Sequence, residues 1–230
     1  MSTIEVVTSD APFAWSRIVA QGPDALSFLQ GQLSQDLSEL TDAGSWSLLL
    51  APNSDVMATV LVRALDDGYE ILVARDVADV ALARLKRFLL RVQCTLHRED
   101  DVTGPFDTVS QQIEAGEPGP HEFLGLTPQT YGENFVTRTV SFTKGCFTGQ
   151  ELVGRLDARG SSVPWRFVRA TGPSVQAIDD VLQSVGPDGP KGVTSAVLED
   201  GVVHALGFAH RSFFASSPTH NNTIDVQLIA

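Results

Sequence analysis

The residues best equipped for chemistry stand together in Lys144-Gly145-Cys146-Phe147-Thr148-Gly149-Gln150-Glu151, a run that continues through Leu152, Val153 and Gly154 to Arg155. A thiol, an amine, a carboxylate and a guanidinium fall within one short stretch, and the glycines let the backbone turn between them. Thr148 and Glu151 are spaced as a capping box, which predicts a helix beginning near Gly149; Gly160 after Arg159 predicts its end. A cysteine just ahead of a helix N-terminus feels the positive end of the dipole, which favours the thiolate; Lys144 adds to that field and Glu151 opposes it. A lone cysteine is more commonly a small buried apolar residue. Here the surroundings are basic: Lys144, Arg155, Arg159, Arg166 and Arg169 against Glu151 and Asp157 give residues 141–169 a net charge of +3 in a chain of −12. A basic island in an acidic protein suits an anionic ligand.

The string 142–155, above all Lys-Gly-Cys-Phe-x-Gly-Gln-Glu at 144–151, resembles the signature of the YgfZ family of folate-binding proteins. That family is related to the glycine-cleavage T-protein, an aminomethyltransferase, and is implicated in maintaining iron–sulfur enzymes. Gly-Pro-Asp-Ala-Leu-x-Phe-Leu-Gln at 22–30 is similar to the early helix of both groups. The resemblance implies tetrahydrofolate or a derivative as cofactor, Cys146 as the reactive thiol, and iron–sulfur client or assembly proteins as transient partners. Gln112-Ile113-Glu114-Ala115-Gly116 resembles the family segment whose glutamate hydrogen-bonds the pterin of folate. A ring N–H and its neighbouring amino group are parallel donors that a carboxylate accepts together, so Glu114 is the implied pterin residue. The family often has arginine where Gln112 stands.

Lys144 or Arg155 would then meet the carboxylates of folate, with Gln150 and Glu151 in the same binding set. Arg155 reads equally well as the helix partner of Glu151, four positions away in the favourable order. In T-protein relatives paired aspartates lie on the second strand of a hairpin. Turn and strand place Ala58 and Thr59 there, and no acidic residue occurs in Val56–Leu65. A carboxylate that must orient an amine and assist proton transfer is not replaced by a methyl or a hydroxyl, which counts against aminomethyl transfer. The implied function is therefore folate binding in support of iron–sulfur cluster assembly or repair in other proteins. The alternatives are a folate-dependent aminomethyl or one-carbon transferase, and a thiol redox or scaffold protein with a vestigial folate cavity.

Two cysteines, Cys94 and Cys146, form no CxxC pair and cannot supply the four thiolates of a cluster, so no intrinsic metal or cluster is expected. The histidines at 97, 121, 204, 210 and 220 lack metal-ligand spacing. A net charge of −12 argues against DNA as a partner. Residues 1–10 carry no targeting pattern, and no run of eighteen apolar residues occurs, so the expected location is cytoplasmic and off the membrane.

The elements that must position these groups follow from periodicity. Strands are expected at 3–7 and 13–20, then a helix over 25–37 with Leu26, Leu29, Leu33 and Leu37 at helical spacing. Strands at 45–51, 56–65 and 69–74 follow, the last two joined by the turn Asp66-Asp67-Gly68. A helix from Asp76 to residue 90 leads to a strand at 92–97 in which Cys94 faces a core. The acidic run 99–105 reads as a turn, 116–120 as a loop, and 137–142 as a strand. Beyond residue 161 the pattern is short strands at 165–170, 192–198, 202–208 and 224–229. The expected class is α+β: a T-protein-like fold of several lobes, with residues 1–44 and 98–160 as the central folate-binding lobe. Residues 45–97 form a ferredoxin-like sheet with helices, and 161–230 a small C-terminal antiparallel β-barrel.

Overall fold

The computed structural model of the chain describes residues 6–8, 11–158, 163–215 and 223–229. In chain order the elements are β1 (Val6–Thr8), β2 (Trp15–Gln21), α1 (Ala25–Gln32), β3 (Ser45–Leu50), β4 (Val56–Leu65), β5 (Gly68–Ala74), α2 (Arg75–Lys86) and β6 (Thr95–Val102). There follow α3 (Val109–Ala115), α4 (Glu133–Thr139), α5 (Gln150–Ala158), β7 (Trp165–Gly172), α6 (Val175–Gln183), β8 (Gly192–Glu199), β9 (Val202–His210), α7 (Ser212–Ala215) and β10 (Asp225–Leu228). The class is mixed α+β, as the order of elements predicts.

The first sheet runs β3-β4-β5-β2-β6 with antiparallel neighbours throughout. Its strands alternate as strands with two covered faces should. Ile18, Val60, Val62, Ile71 and Val73 face α1 and α2, where Leu29, Leu33 and Leu85 complete a core. Trp15, Leu61 and Leu72 face the other way, against Phe13, Trp46 and Phe106. The β4–β5 hairpin closes where expected, because Gly68 takes φ +132° and a Cβ there would sit 2.3 Å from the Ala20 carbonyl oxygen.

The second sheet runs β1-β8-β9-β7-β10, with β1 parallel to β8 and the other neighbours antiparallel. All four strands expected after residue 161 are in it. One face, including Val168, Ala170 and Ala205, packs on Ile178 and Leu182 of α6. The other presents Phe167, Leu206 and Phe208 to a central core shared with Leu48, Leu50, Tyr131, Phe135 and Phe147. The Tyr131 ring centre lies 5.1 Å from Phe135, 5.6 Å from Phe167 and 5.8 Å from Phe208. Burial of each such side chain contributes roughly 1.5–3 kcal/mol, so this cluster holds the two sheets together through the segment between them.

Several expectations are corrected. The helix over 25–37 stops at Gln32; Leu33 is extended and bridges Leu49, while Leu33 and Leu37 remain buried. Residues 137–142 do not form a strand: Phe135, Val136 and Thr139 are the buried side of α4. The acidic run after residue 98 is the second half of β6 rather than a turn. It is tolerated because Arg17 takes Glu99, the Ser16 hydroxyl donates to Asp100 at 2.5 Å, and Arg75 pairs with Asp101. Cys94 lies just before β6, half-buried. Helix α6 was not expected; Ser174 caps it by accepting from the Ala177 N–H at 3.2 Å.

Candidate functional site

The loop that carries Cys146 is anchored on both sides. Lys144 Nζ donates to the carbonyls of Leu33 at 2.8 Å and Gln35 at 2.9 Å, just beyond the end of α1. Its ammonium stands 5.3 Å from the centre of the Phe147 ring, which is buried in the central core. Burial holds Lys144 well below the usual lysine range, at about 8, with Asp36 pulling the other way. On the far side of the cysteine, the Thr148 N–H donates to the Gly31 carbonyl at 3.1 Å, and the Gly149 carbonyl accepts from the Ser54 hydroxyl at 2.5 Å. Gly149 takes φ +84°, and a Cβ there would meet the Ala51 carbonyl oxygen at 2.7 Å, so only glycine lets the loop dock on the β3–β4 turn. Between these anchors Cys146 is exposed.

Helix α5 begins at Gln150, next to the expected start, and is described through Ala158; its expected end at Gly160 lies outside the described residues. Glu151 is engaged by Arg155 in an exposed i,i+4 ion pair instead of turning back to Thr148. Gln150 is half-buried at the start of the helix. Lys144 thus has two of its N–H groups on backbone carbonyls, and Arg155 has one nitrogen on Glu151.

Glu114 is placed elsewhere, on the exposed side of α3. Arg169 Nη1 donates to the Glu114 carbonyl at 2.5 Å. The residue borders a hollow of about 430 Å³ over the second sheet, together with Arg169, Glu199, His204 and Asp225. Cys146 does not line that hollow.

A second hollow, of about 400 Å³, lies where the aromatic face of the first sheet meets α3 and α4. Its walls include Trp46, Phe106, Phe135, Arg138 and Glu117. Glu117 is 6% exposed, an extreme position for a carboxylate. One of its oxygens, Oε2, accepts from Arg138; the other, Oε1, has no hydrogen-bond partner. Burial pushes its pKa up, against the opposing pull of Arg138. The Arg138 guanidinium also lies 5.7 Å from the Trp46 ring centre and 5.2 Å from that of Phe135. Gln112, also buried, uses Nε2 to hold the Glu117 carbonyl.

Thr59 faces this region as well, its hydroxyl donating to the Pro118 carbonyl at 3.5 Å, whereas Ala58 turns into the helix-covered core. Nothing in the sequence singles out Glu117, since Gly116 and Pro118 flank it like any loop residue. Among the described residues no group of three or more His, Cys, Asp or Glu is placed to hold a metal ion, and no helix is long and apolar enough to cross a membrane.

Set against known proteins, the chain is 22% identical to the tRNA-modifying protein YgfZ of Sodalis glossinidius (strain morsitans), an alignment that covers 90% of this chain and 86% of that one. Its likeness is to the YgfZ proteins, over most of its length. A shorter segment, 38% of this chain and 27% of its relative, is 33% identical to the tRNA-modifying protein YgfZ of Klebsiella pneumoniae (strain 342). No protein-family model matches. Among solved structures, the glycine cleavage system aminomethyltransferase T of Bartonella henselae superposes with a TM-score of 0.58 at 14% identity, covering 89% of this chain and 80% of that one. The YgfZ-like chain therefore has a T-protein-like fold.

Proposed function

We propose that this protein binds tetrahydrofolate or a derivative in the cytoplasm and supports the assembly or repair of iron–sulfur clusters held by other proteins, with Cys146 as the thiol that meets them. One observation carries the reading: in a YgfZ-like chain, Cys146 stands exposed on a loop fixed by Lys144, Thr148 and Gly149. A thiol held outward on a braced loop is available to a partner, whereas a cysteine sealed in a core is inert. The T-protein-like fold supports a folate ligand. Aminomethyl transfer is the weaker reading, because Ala58 and Thr59 put no carboxylate on β4.

The YgfZ relatives are named for tRNA modification. A chain of net charge −12 has little with which to hold a polyanion, so a share in that process would run through a partner protein rather than through direct contact with RNA. The test is complementation, reading a cluster-dependent enzyme in cells that rely on this protein. Cys146→Ser is expected to lower that activity to the level of cells lacking the protein, while Cys94→Ser retains it. Full activity with Cys146→Ser would remove the thiol from the mechanism.

A further inference from the structure

A second basic run lies at the C-terminal end of α2. Residues 84–91, Arg84-Leu85-Lys86-Arg87-Phe88-Leu89-Leu90-Arg91, hold four cations and no acid in a chain of net charge −12. Lys86, Arg87 and Arg91 are exposed, and among the described residues none of them has a carboxylate partner. The helix dipole accounts for part of this, since it favours cations in a last turn. It does not account for Arg91, which lies beyond the helix, or for the apolar side chains set among the cations.

Leu90 is 84% exposed and Phe88 40%. One exposed apolar residue is ordinary, but two so close together and surrounded by cations form a patch. The turn that shows them is fixed. The Phe88 N–H donates to the Leu85 carbonyl at 3.0 Å, that of Leu89 to Lys86 at 3.2 Å and that of Val92 to Leu89 at 3.2 Å, which puts Leu90 and Arg91 at the tip of the last turn. Arg91 takes φ +62°, where glycine or asparagine is usual, so a cation holds that position at a cost to the backbone. The Gln93 N–H then ties the chain to the Asp24 carboxylate at 2.8 Å, ahead of α1. Phe88 is fixed as well, because its ring centre lies 4.2 Å from the Arg84 guanidinium. Arg84 is 6% exposed; it donates to Gln32 Oε1 at 3.0 Å and to the Leu50 carbonyl at 3.4 Å, while its Nε has no partner. Burial and the charge of Arg87 pull its pKa down, the mark of a positive field without counter-charge.

A surface that joins free cations to exposed apolar side chains selects among anions. RNA phosphates would meet the cations but gain nothing from Leu90, and Arg84 covers one face of the Phe88 ring, where a base would stack. An extended polyanion also reaches past the patch to the acidic rest of the chain, whereas a short segment feels only charges within about 8 Å, the screening length at physiological salt. A lipid surface needs more inserted apolar area than Leu90 and Phe88 supply, and its anionic headgroups repel a chain of −12.

We propose that residues 84–91 dock a short acidic segment of another protein, one that sets a large apolar side chain among its carboxylates. Leu90 and Phe88 meet the apolar group; Lys86, Arg87 and Arg91 meet the carboxylates. The patch and the cysteine loop lean on adjacent residues of α1, since Arg84 donates to the Gln32 side chain and the Thr148 N–H to the Gly31 carbonyl. The inference itself needs neither folate nor Cys146.

The experiment titrates the full chain into a short fluorescein-labelled peptide of glutamates and aspartates that carries two leucines one helical turn apart, reading anisotropy at physiological salt. Binding is expected, and about 10-fold weaker binding when serines replace the two leucines. Leu90→Ser is expected to weaken the peptide about 10-fold, and Arg87→Glu combined with Arg91→Glu about 30-fold, because two attractions become repulsions. The three positions are exposed, so melting temperatures should not change. Unfractionated tRNA, and vesicles of equal parts phosphatidylcholine and phosphatidylserine, are the competing occupants and are expected not to bind.

No binding of the peptide, or binding that both variants leave intact, overturns the inference. Loss with the double charge reversal but not with Leu90→Ser removes the apolar half of the recognition and overturns it too. Binding of the tRNA or of the vesicles that the charge reversal abolishes assigns the patch to phosphate and has the same result. The readout is peptide binding alone, so neither the folate nor the thiol reading decides it.

Discussion

Glu117 and Glu122 are five residues apart, both buried, and burial pushes the pKa of both upward, yet their surroundings are opposite. Glu122 is fully partnered: Oε2 accepts from the Gly119 N–H at 2.8 Å, and Oε1 accepts from the hydroxyls of Thr194 and Ser195 at 2.6 Å each. Its backbone carbonyl takes the Tyr131 hydroxyl at 2.8 Å. Those bonds tie the turn after α3 to β8. Glu117 has one ion-pair partner and one bare oxygen beside a hollow. A buried acid with both oxygens held by fixed donors stabilises the fold; one left half-met is more useful to something that arrives.

Three substitutions would break or sharpen this contrast. The largest effect is expected from Glu122→Ala, which strands the Gly119 N–H and the Ser195 hydroxyl in the interior and should cost about 3 kcal/mol in urea unfolding. If removing the Glu117 carboxylate costs as much, the distinction between the two acids fails. Next comes Arg138→Met, which leaves Glu117 without its cation. Because Arg138 is 36% exposed, the expected loss at neutral pH is discounted to about 2 kcal/mol. It has a signature in pH: a carboxyl whose folded pKa is above its unfolded value destabilises the fold above that folded pKa, and the cost lifts as pH falls toward the unfolded value. The gap between Arg138→Met and the unmodified chain should therefore narrow as pH falls from neutral toward 4.5, the ordinary value for a glutamate. Smallest is Thr194→Val, which removes one of three donors from Glu122 and should cost about 1 kcal/mol, measured the same way.

The sequence displays these features unequally. The β4–β5 hairpin is legible to within one residue because local chemistry dictates it: apolar runs flank a turn whose Gly68 tolerates positive φ. The exposed thiol was also legible, since the glycines and the basic surroundings mark its loop. Glu117 was not, because its burial depends on Trp46, Phe106 and Arg138, which are distant along the chain and share no period with it. The acidic half of β6 was hidden for a similar reason: Arg17 and Ser16, on the neighbouring strand, make those acids acceptable there. Helix α6 had a local signal in Ser174 followed by Ile178 and Leu182, but the surrounding glycines and strands obscured it.

Strand β1 pairs in parallel with β8, so Val6 lies beside Ala196 although nearly the whole chain separates them. A ribosome delivers the first strand long before its neighbour exists. The sheet of β2 to β6 has all its partners once residue 102 has emerged, while the three residues of β1 wait for the last part of synthesis. Assembly of the second sheet is in this way a later event than that of the first, and a ribosome stalled before β8 would hold a first sheet already paired and a β1 still without its neighbour.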